Sequence, residues 1–364
     1  MVVCVFWGQT SVNSQSLEVL SKLPNACPES SGLVFINNNS FITHNDGGDG
    51  PNLYFIDSSG IVQRKVNVKN AINTDWEDIT MAPDGRVFIG NFGNNGNNRK
   101  DLEILVLPDY KKWKSDTVEP DKIFFSYDDQ NAFPPSSDNR VFDCEALAFY
   151  KDSLYIFSKN WSSPFSGMVK MYVLPAAPGT YAIQPRDSVN LGTVKEIAWV
   201  TGADIQDSSL YLVGSAFVWR FNFLELPNLT SPTQLALNHF SQKEAIAVNG
   251  NNIYITDEAS GGFGQLYRFT QKNPNATAFE VEALRIKVNQ TTNSVWIQNK
   301  QRESLHVELI DISGKMVSVF VGNDAHIDLD KNIIEKCILR PGVYMLHISA
   351  EKNINIWTKV FISQ

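Results

Sequence analysis

Hydrophobic and polar positions follow a repeating order along most of the chain. In Asn73–Asn95 an acidic stretch precedes a short apolar segment, a turn at Pro83–Gly85 follows, and a second apolar segment, Val87–Gly90, ends in polar residues. Short apolar segments bounded by turn residues predict β-strands. Because the same order returns at intervals of about 40–50 residues, the pattern predicts a repeating all-β fold.

Five stretches share this order of acidic residue, first strand, turn, second strand and third strand. They begin at Glu29, Trp76, Asp143, Gly202 and Lys243. A more polar fourth strand follows the first four stretches, at 61–68, 122–127, 180–190 and 234–239, whereas the fifth lacks one. Ser16–Leu23 is left over. We expect it to be the outer strand of the last sheet, since that pairing removes an exposed edge.

Residues 16–279 are therefore predicted to form a five-bladed β-propeller. A six-bladed ring is the alternative, with a weak blade hidden in 109–143 or 175–202. A large β-sandwich would also explain the strands, but it gives no reason for an acidic residue at the same place in each unit. Residues 280–364 contain further strand-like segments, among them Ser304–Ile312 and Gly342–Ser349, and predict a small Ig-like β-sandwich.

Composition narrows the classes of function. The net charge is −8 without a basic stripe, which argues against nucleic acid and anionic membranes as partners. No run of about 18 apolar residues predicts a transmembrane helix. Five histidines and four cysteines without CxxC spacing argue against zinc. Cys27 and Cys144 both lie close to a motif glutamate, and either a disulfide between them or two buried thiols fits that position.

The start of the chain has two interpretations. Residues 1–15 are either the remnant of a signal peptide, whose basic segment is missing, or an ordinary buried strand.

The C-terminal region resembles a known family. Val307–Val317, Pro341–Ile348 and Lys359–Ser363 are similar, in that order, to the type A sorting domain of the type IX secretion system, although Val288-Asn289-Gln290 replaces the usual Pro-Asn-Pro. The resemblance implies that type IX secretion machinery carries the chain across a bacterial outer membrane, which makes the protein secreted or attached to the cell surface. It also favours the signal-peptide interpretation of residues 1–15.

Propeller geometry predicts where a site would lie. Loops that enter first strands and leave second strands meet at one mouth of the central channel, and a rigid scaffold of this kind often carries its site on such loops. Carboxylates would crowd there, and two unit charges 4 Å apart repel by about 4 kcal/mol at an effective dielectric near 20. The remedies are a bound cation, protonation, or pairing with Lys and Arg.

Calcium is the cation that hard oxygen ligands favour. The expected ligands are Glu29, Glu77, Glu145, Glu244 and Asp257. If the site is hydrolytic, Glu77 or Glu145 would act as general base, with His44 as the imidazole at the mouth. The residues expected to contact a ligand are Asp46, Asn91, Lys159, Asp204 and Trp161, the last by stacking on a sugar.

The repeats resemble a group of secreted bacterial propellers of unassigned activity through Glu29–Leu33 with Thr43–Asp46, Asp75–Asp78 and Asp143–Leu147. More distantly they are similar to calcium-bearing phytase and paraoxonase propellers, which is a likeness of fold and a poor guide to function. Two functions stay open. One is a cation-bearing propeller that binds or hydrolyses an extracellular small molecule or glycan. The other is a non-enzymatic surface module whose carboxylates are structural.

Overall fold

The computed structural model describes residues 17–37, 39–222, 229–230, 232–258, 263–271, 286–291, 294–299, 302, 304–311, 316–324, 326–328, 342–350 and 354–362. The expectation for residues 1–15 lies outside these ranges. The chain divides into two compact units, Gln15–Gln271 and one that contains Lys272–Gln364. No helix in the described ranges has the length and hydropathy needed to cross a bilayer.

The larger unit is built almost entirely of strands. In chain order they are β1 Leu17–Lys22, β2 Ser30–Asn37, β3 Ser40–Asn45, β4 Asn52–Asp57, β5 Val62–Val68, β6 Trp76–Met81, β7 Val87–Asn91, β8 Glu103–Leu107, β9 Thr117–Val118, β10 Asp121–Tyr127, β11 Asp143–Tyr150, β12 Ser153–Lys159, β13 Met168–Pro175, β14 Gly179–Ile183, β15 Pro185–Asn190, β16 Gly202–Gln206, β17 Ser209–Val213, β18 Phe217–Asn222, β19 Thr233–Ala236, β20 Lys243–Asn249, β21 Asn252–Asp257 and β22 Gln265–Thr270. A four-residue helix, α1 (Lys195–Ala198), and two 3-10 turns, Tyr110–Lys112 and Ser137–Asn139, complete the described elements.

These strands form five sheets, numbered here by the order of their first strands. Sheet 1 has the order β2-β3-β4-β5-β9, sheet 2 β6-β7-β8-β10-β14, sheet 3 β11-β12-β13-β15, sheet 4 β16-β17-β18-β19, and sheet 5 β20-β21-β22-β1. The predicted all-β, multi-sheet architecture is confirmed. So is the place of the leftover N-terminal segment, because β1 pairs antiparallel with β22 as the outer strand of sheet 5.

Sequence explains the order of strands within a sheet. The inner strands β6, β7 and β8 are buried almost throughout. The outer strands β5 and β10 instead alternate between buried and exposed positions, which is the pattern of a sheet with one solvated side. The segments 109–143 and 175–202 supply β9, β10, β14 and β15 to sheets 1, 2 and 3.

The first strands of the five sheets contact one another in closed cyclic order: β2 with β6, β6 with β11, β11 with β16, β16 with β20, and β20 with β2. Apolar clusters lie between consecutive sheets in the same order. Val34 and Ile42 of sheet 1 pack with Val87 of sheet 2, and Leu33 packs with Tyr254 of sheet 5. This arrangement is propeller-like, and it brings the starts of the five first strands to one face.

Cys27 and Cys144 are both buried free thiols. They lie in different apolar clusters, so the bridge left open by the sequence is not formed. Burial raises the pKa of Cys27 to about 12, which makes the thiol inert at neutral pH.

The smaller unit contains two antiparallel sheets. Its described strands are β23 Ile286–Thr291, β24 Ser294–Asn299, β25 Leu305–Asp311, β26 Met316–Gly322, β27 His326–Asp328, β28 Gly342–Ala350 and β29 Ile354–Ile362. One sheet has the order β23-β24-β27 and the other β26-β25-β28-β29. Both sheets contribute fully buried apolar side chains, such as Ile297 and Val307.

Candidate functional site

The upper face of the larger unit is defined here as the face at which first strands begin and second strands end. Seven carboxylates gather at its centre, and they are called the acidic mouth: Asp46, Asp75, Glu77, Asp143, Glu145, Glu244 and Glu258. Their electrostatic coupling shows that they share one region, since Glu145 raises the pKa of Asp46, Asp75, Glu77, Asp143, Glu244 and Glu258 in addition to the larger effect of burial. The predicted crowding of carboxylates from several sheets is therefore present.

A lysine head lies among these carboxylates. Lys159 Nζ forms an ion pair with Glu145 Oε1 at 3.0 Å, and both side chains are largely buried. Burial alone would lower the pKa of Lys159, but Glu145, Glu244, Asp143 and Glu77 together raise it well above its ordinary value. Lys159 is thus a permanent cation at the end of β12, and pairing is one of the ways in which the mouth limits its own repulsion.

One cation does not balance seven carboxylates, and the remaining charge shows in their proton affinities. Burial, followed by neighbouring carboxylates, raises the pKa of Glu77 well above its usual range. Burial likewise raises the pKa of Glu244 and Asp143 despite the nearby Lys159. The pKa of Asp46 rises to about 7 for the same reason. The mouth therefore retains protons near neutral pH, or another cation must take their place.

Three members of the mouth are arranged as a set of cation ligands. One oxygen from each of Asp46, Asp75 and Glu77 lies within 4.8 Å of the others. None of the three forms an ion pair with a lysine or arginine in the described part of the chain, although Arg99 and Lys159 lower the pKa of Asp75 from farther away, against the larger effects of burial and Glu145. Carboxylate oxygens are the ligands that Ca²⁺ prefers, so the donor set suits a hard cation.

The backbone leaves room for this triad at Gly93. A Cβ at residue 93 would overlap the carboxylates of Glu77 and Asp75. The neighbouring Arg99 donates from Nη1 to the carbonyl of Gly93 at 2.7 Å and from Nη2 to that of Asn91 at 3.2 Å. These bonds fix the loop after β7 against the acidic residues.

Two other motif carboxylates support the fold. Asp78 accepts backbone N–H bonds from Ile79, from Leu147 of β11 and from Ala203 of β16. Asp204 accepts bonds from Ile205 and from Val248 of β20. Both carboxylates satisfy backbone donors of adjacent first strands, so the structure places Asp204 in the scaffold and not among ligand contacts.

Several predicted site residues are also fully engaged within the chain. The amide of Asn91 donates to Ile72 O and Glu103 Oε1 and accepts from the Asp75 N–H. Asp257 accepts from the Gln265 N–H and from Tyr267 Oη. These bonds fix the orientation of both side chains.

Glu29 and His44 lie in contrasting environments. Glu29 is solvent-exposed but close enough to the mouth to raise the pKa of Glu258, in addition to the larger effect of burial. His44 is completely buried, and its ring meets Trp76 edge-on with ring centroids 5.5 Å apart. Burial lowers the pKa of His44 to about 4, so the imidazole is neutral and shielded from solvent. This placement gives His44 a role in packing.

A pair of indoles borders the mouth. The rings of Trp161 and Trp199 are 4.6 Å apart at an interplanar angle of 50°. Trp161 Nε1 donates to Asp143 Oδ2, and Trp199 Nε1 donates to Asn160 O, each at 2.6 Å. Lys159 and Lys195 each lie over both rings, at 4.7–5.6 Å from the centroids. Trp161 was predicted as a ligand contact, and the structure adds Trp199.

Asp75, Asp143 and Glu258 also belong to the mouth, although they were not among the predicted ligands. Asp75 and Asp143 lie two residues before Glu77 and Glu145, so side chains at these positions share one side of a strand entry. That spacing is a signal that could have identified them. Trp199 precedes β16 without a comparable repeat, and no sequence pattern marks it.

No family model and no curated protein matches the chain. Among solved structures it is similar to PorZ, a surface component of the type IX secretion system of Porphyromonas gingivalis, with 13% identity and a TM-score of 0.37 over 92% of this chain and 45% of that chain. It is also similar to glutaminyl cyclase of Myxococcus xanthus (10% identity, TM-score 0.41, 71% of this chain and 98% of that chain). A candidate glycoside hydrolase from Parabacteroides distasonis is similar at 12% identity and TM-score 0.37, over 74% and 98% of the two chains. The chain thus spans less than half the length of PorZ, and likenesses this weak carry no argument about function.

Proposed function

We propose that the larger unit is a five-bladed β-propeller whose acidic mouth binds a hard cation, with Ca²⁺ as the first candidate, and presents it to an extracellular small molecule or glycan. The convergence of Asp46, Asp75 and Glu77 within 4.8 Å carries this proposal. A bound cation would neutralise the carboxylates that Lys159 does not reach. Its remaining coordination positions would accept oxygen atoms of the ligand.

The cation is tested by thermal melts of the full chain in chelator and in added Ca²⁺, since a ligand of the native state raises stability. We expect Ca²⁺ to raise the Tm of the wild type and to have little effect on Glu77→Gln. Glu18→Gln is the matched control, because it removes the same charge from an exposed ion pair with Arg268. A wild-type Tm that responds to neither chelator nor Ca²⁺ contradicts the proposal.

Hydrolysis is a second candidate function, which the raised pKa of Glu77 favours because burial and the neighbouring carboxylates increase the proton affinity that a general acid or base needs. The probes are p-nitrophenyl phosphate, acetate and glycosides in the presence of Ca²⁺. Glu77→Gln and Glu145→Gln should abolish turnover and leave the fold intact. Unchanged rates in both variants would exclude hydrolysis by these two carboxylates. The alternative is then a non-enzymatic surface module, and the paired indoles at the mouth favour this binding function.

The smaller unit is proposed to be an Ig-like sorting domain that type IX secretion machinery recognises, which makes the protein secreted or attached to the outer-membrane surface. The support is the order of the three sequence blocks, of which the first and last fall largely within β25, β26 and β29. Deletion of Gly342–Gln364 should leave the larger unit folded but stop its export. Normal export of the truncated chain would refute the assignment.

A further inference from the structure

In the described part of the larger unit, five of the eight large apolar side chains that face solvent lie in loops of the upper face. Ile72, Phe133, Val194 and Phe240 lie in loops that lead into β6, β11, β16 and β20, and Phe263 lies between β21 and β22. Ile72 is 74% exposed and Phe240 63%. Of the described loops at the opposite face, one contributes such a residue, Ile61. Exposed apolar groups gathered on one face mark an interaction site.

Two of these five side chains already contact a lysine of the same chain. Lys100 lies 4.6 Å from the ring centroid of Phe133, and Lys22 lies 5.0 Å from that of Phe263. Ile72, Val194 and Phe240 are therefore the members that offer apolar surface to another molecule. They lie in loops that lead into the first strands of sheets 2, 4 and 5, on the same face as the acidic mouth.

The mouth itself shows which chemical group it accommodates. Its carboxylates hold the ammonium of Lys159, and its indole pair holds the ammonium groups of both Lys159 and Lys195. Cations over tryptophan faces gain electrostatic energy from the ring. The carboxylates still exceed the basic groups paired with them, so a further cationic side chain is attracted and an acidic one is repelled.

From this combination we infer that the upper face docks a polypeptide of a partner protein, which inserts a lysine or arginine side chain into the acidic mouth and places apolar side chains against Ile72, Val194 and Phe240. The inference goes beyond the proposed function: it uses the same mouth, but the cationic side chain of the peptide competes with Ca²⁺ for the carboxylates, so peptide binding is measured in chelator. It names the ligand class as a basic, apolar peptide segment. A free amine would pair with the carboxylates of the mouth but would leave Ile72, Val194 and Phe240 uncovered. The negative charge of the mouth would repel an anionic lipid surface.

The test uses the full chain and three labelled synthetic peptides. One carries a central lysine between leucines, one carries glutamate in place of the lysine, and one carries serines in place of the leucines. Fluorescence anisotropy should show binding of the first peptide and loss of affinity for the other two. Ile72→Ser and Phe240→Ser should each weaken binding about tenfold, as central interface residues do. The matched controls Ile61→Ser and Phe124→Ser alter exposed apolar residues away from the upper face and should leave Kd unchanged.

Equal affinity for the lysine and glutamate peptides, equal loss in the control variants, or no binding of the lysine peptide would each overturn the inference. So would binding to zwitterionic vesicles that is lost in Ile72→Ser and Phe240→Ser, because it would assign the rim to lipid. The Ca²⁺ response of the Tm is measured on the same variants. If Ile72→Ser and Phe240→Ser lose peptide binding but keep the Ca²⁺ response, both proposals are supported. Selective peptide binding without any Ca²⁺ response refutes only the proposed cation site.

Discussion

Replacing Lys159 with methionine removes the one cation that, among the described residues, forms an ion pair within the acidic mouth, and it leaves Glu145 buried without that partner. At the observed 3.0 Å separation, the attraction is about 5–6 kcal/mol at an effective dielectric near 20. Removing one partner of a buried pair costs about 3–5 kcal/mol. In a unit of this size, that corresponds to a Tm decrease on the order of 10 °C.

Melts at pH 8 in chelator, with urea unfolding for the free energy, measure the effect. Lys195→Met is the matched control, since Lys195 lies over the same two indoles and should cost about 1 kcal/mol or less. The double variant Lys159→Met with Glu145→Gln removes both charges, and it should recover much of the stability that Lys159→Met loses.

The loss in Lys159→Met should also shrink at lower pH, because burial and neighbouring carboxylates raise the pKa values of Glu77, Asp143 and Glu244, whose protonation reduces the negative charge of the mouth. The reasoning is refuted if Lys159→Met and Lys195→Met lose the same small amount of stability at pH 8. A double variant that is as unstable as Lys159→Met would mean that the lysine acts through packing and not through charge.

Three further predictions concern the same face. The pKa of Asp46 in the fold is about 7, well above its ordinary value near 4, so between these values the folded chain keeps a proton that the unfolded chain releases. The free energy of unfolding should therefore fall as pH rises from about 4 to 7. Thermal melts in chelator measure this fall, and added Ca²⁺ should reverse it. Asp78→Asn turns an NH2 group toward one or two of the three backbone N–H donors and should cost about 2–3 kcal/mol by urea unfolding. The exposed Asp84→Asn serves as control. Gly93→Ala places a methyl group against Asp75 and Glu77 and should reduce the Ca²⁺ response of the Tm; an undiminished response would separate the cation from this triad.

The sheets could be predicted because each one repeats the same chemical order. Inner strands are apolar on both sides, outer strands are half polar, and turn residues separate them, so the sequence of Val87–Asn91 or Leu154–Lys159 already specifies a buried strand. The N-terminal Leu17–Lys22 could be placed by counting, since sheet 5 lacked a strand and an unpaired edge is unfavourable.

The side chains were harder to predict because one residue of register moves a group to the other side of a strand. Asp204 was expected to contact a ligand, but it bonds the backbone of the next first strand, as Asp78 does. In sheet 4, Ala203 occupies the position that corresponds to Glu77 in sheet 2. His44 follows the same rule, since it adjoins the polar exit of β3 yet points into the core beside Trp76.

Charge partners could be enumerated from the sequence but not ranked. Cation, proton and lysine were all open as remedies for the crowded carboxylates. The choice of Lys159 for Glu145 depends on a 3.0 Å approach, which follows from where β12 ends and not from any local pattern. Only Trp161 of the indole pair was predicted, for a similar reason, since Trp199 lies in a separate segment between α1 and β16.

The pairing of β1 with β22 joins residues near the two ends of the larger unit, with Leu17 opposite Phe269. A growing or translocating chain cannot complete sheet 5 until its residues near 270 have emerged. Until then it carries unpaired strand edges at both ends of an open array, and such edges invite pairing with other chains. Completion of the larger unit therefore depends on keeping those early strands apart from other chains until β22 is available to pair with β1.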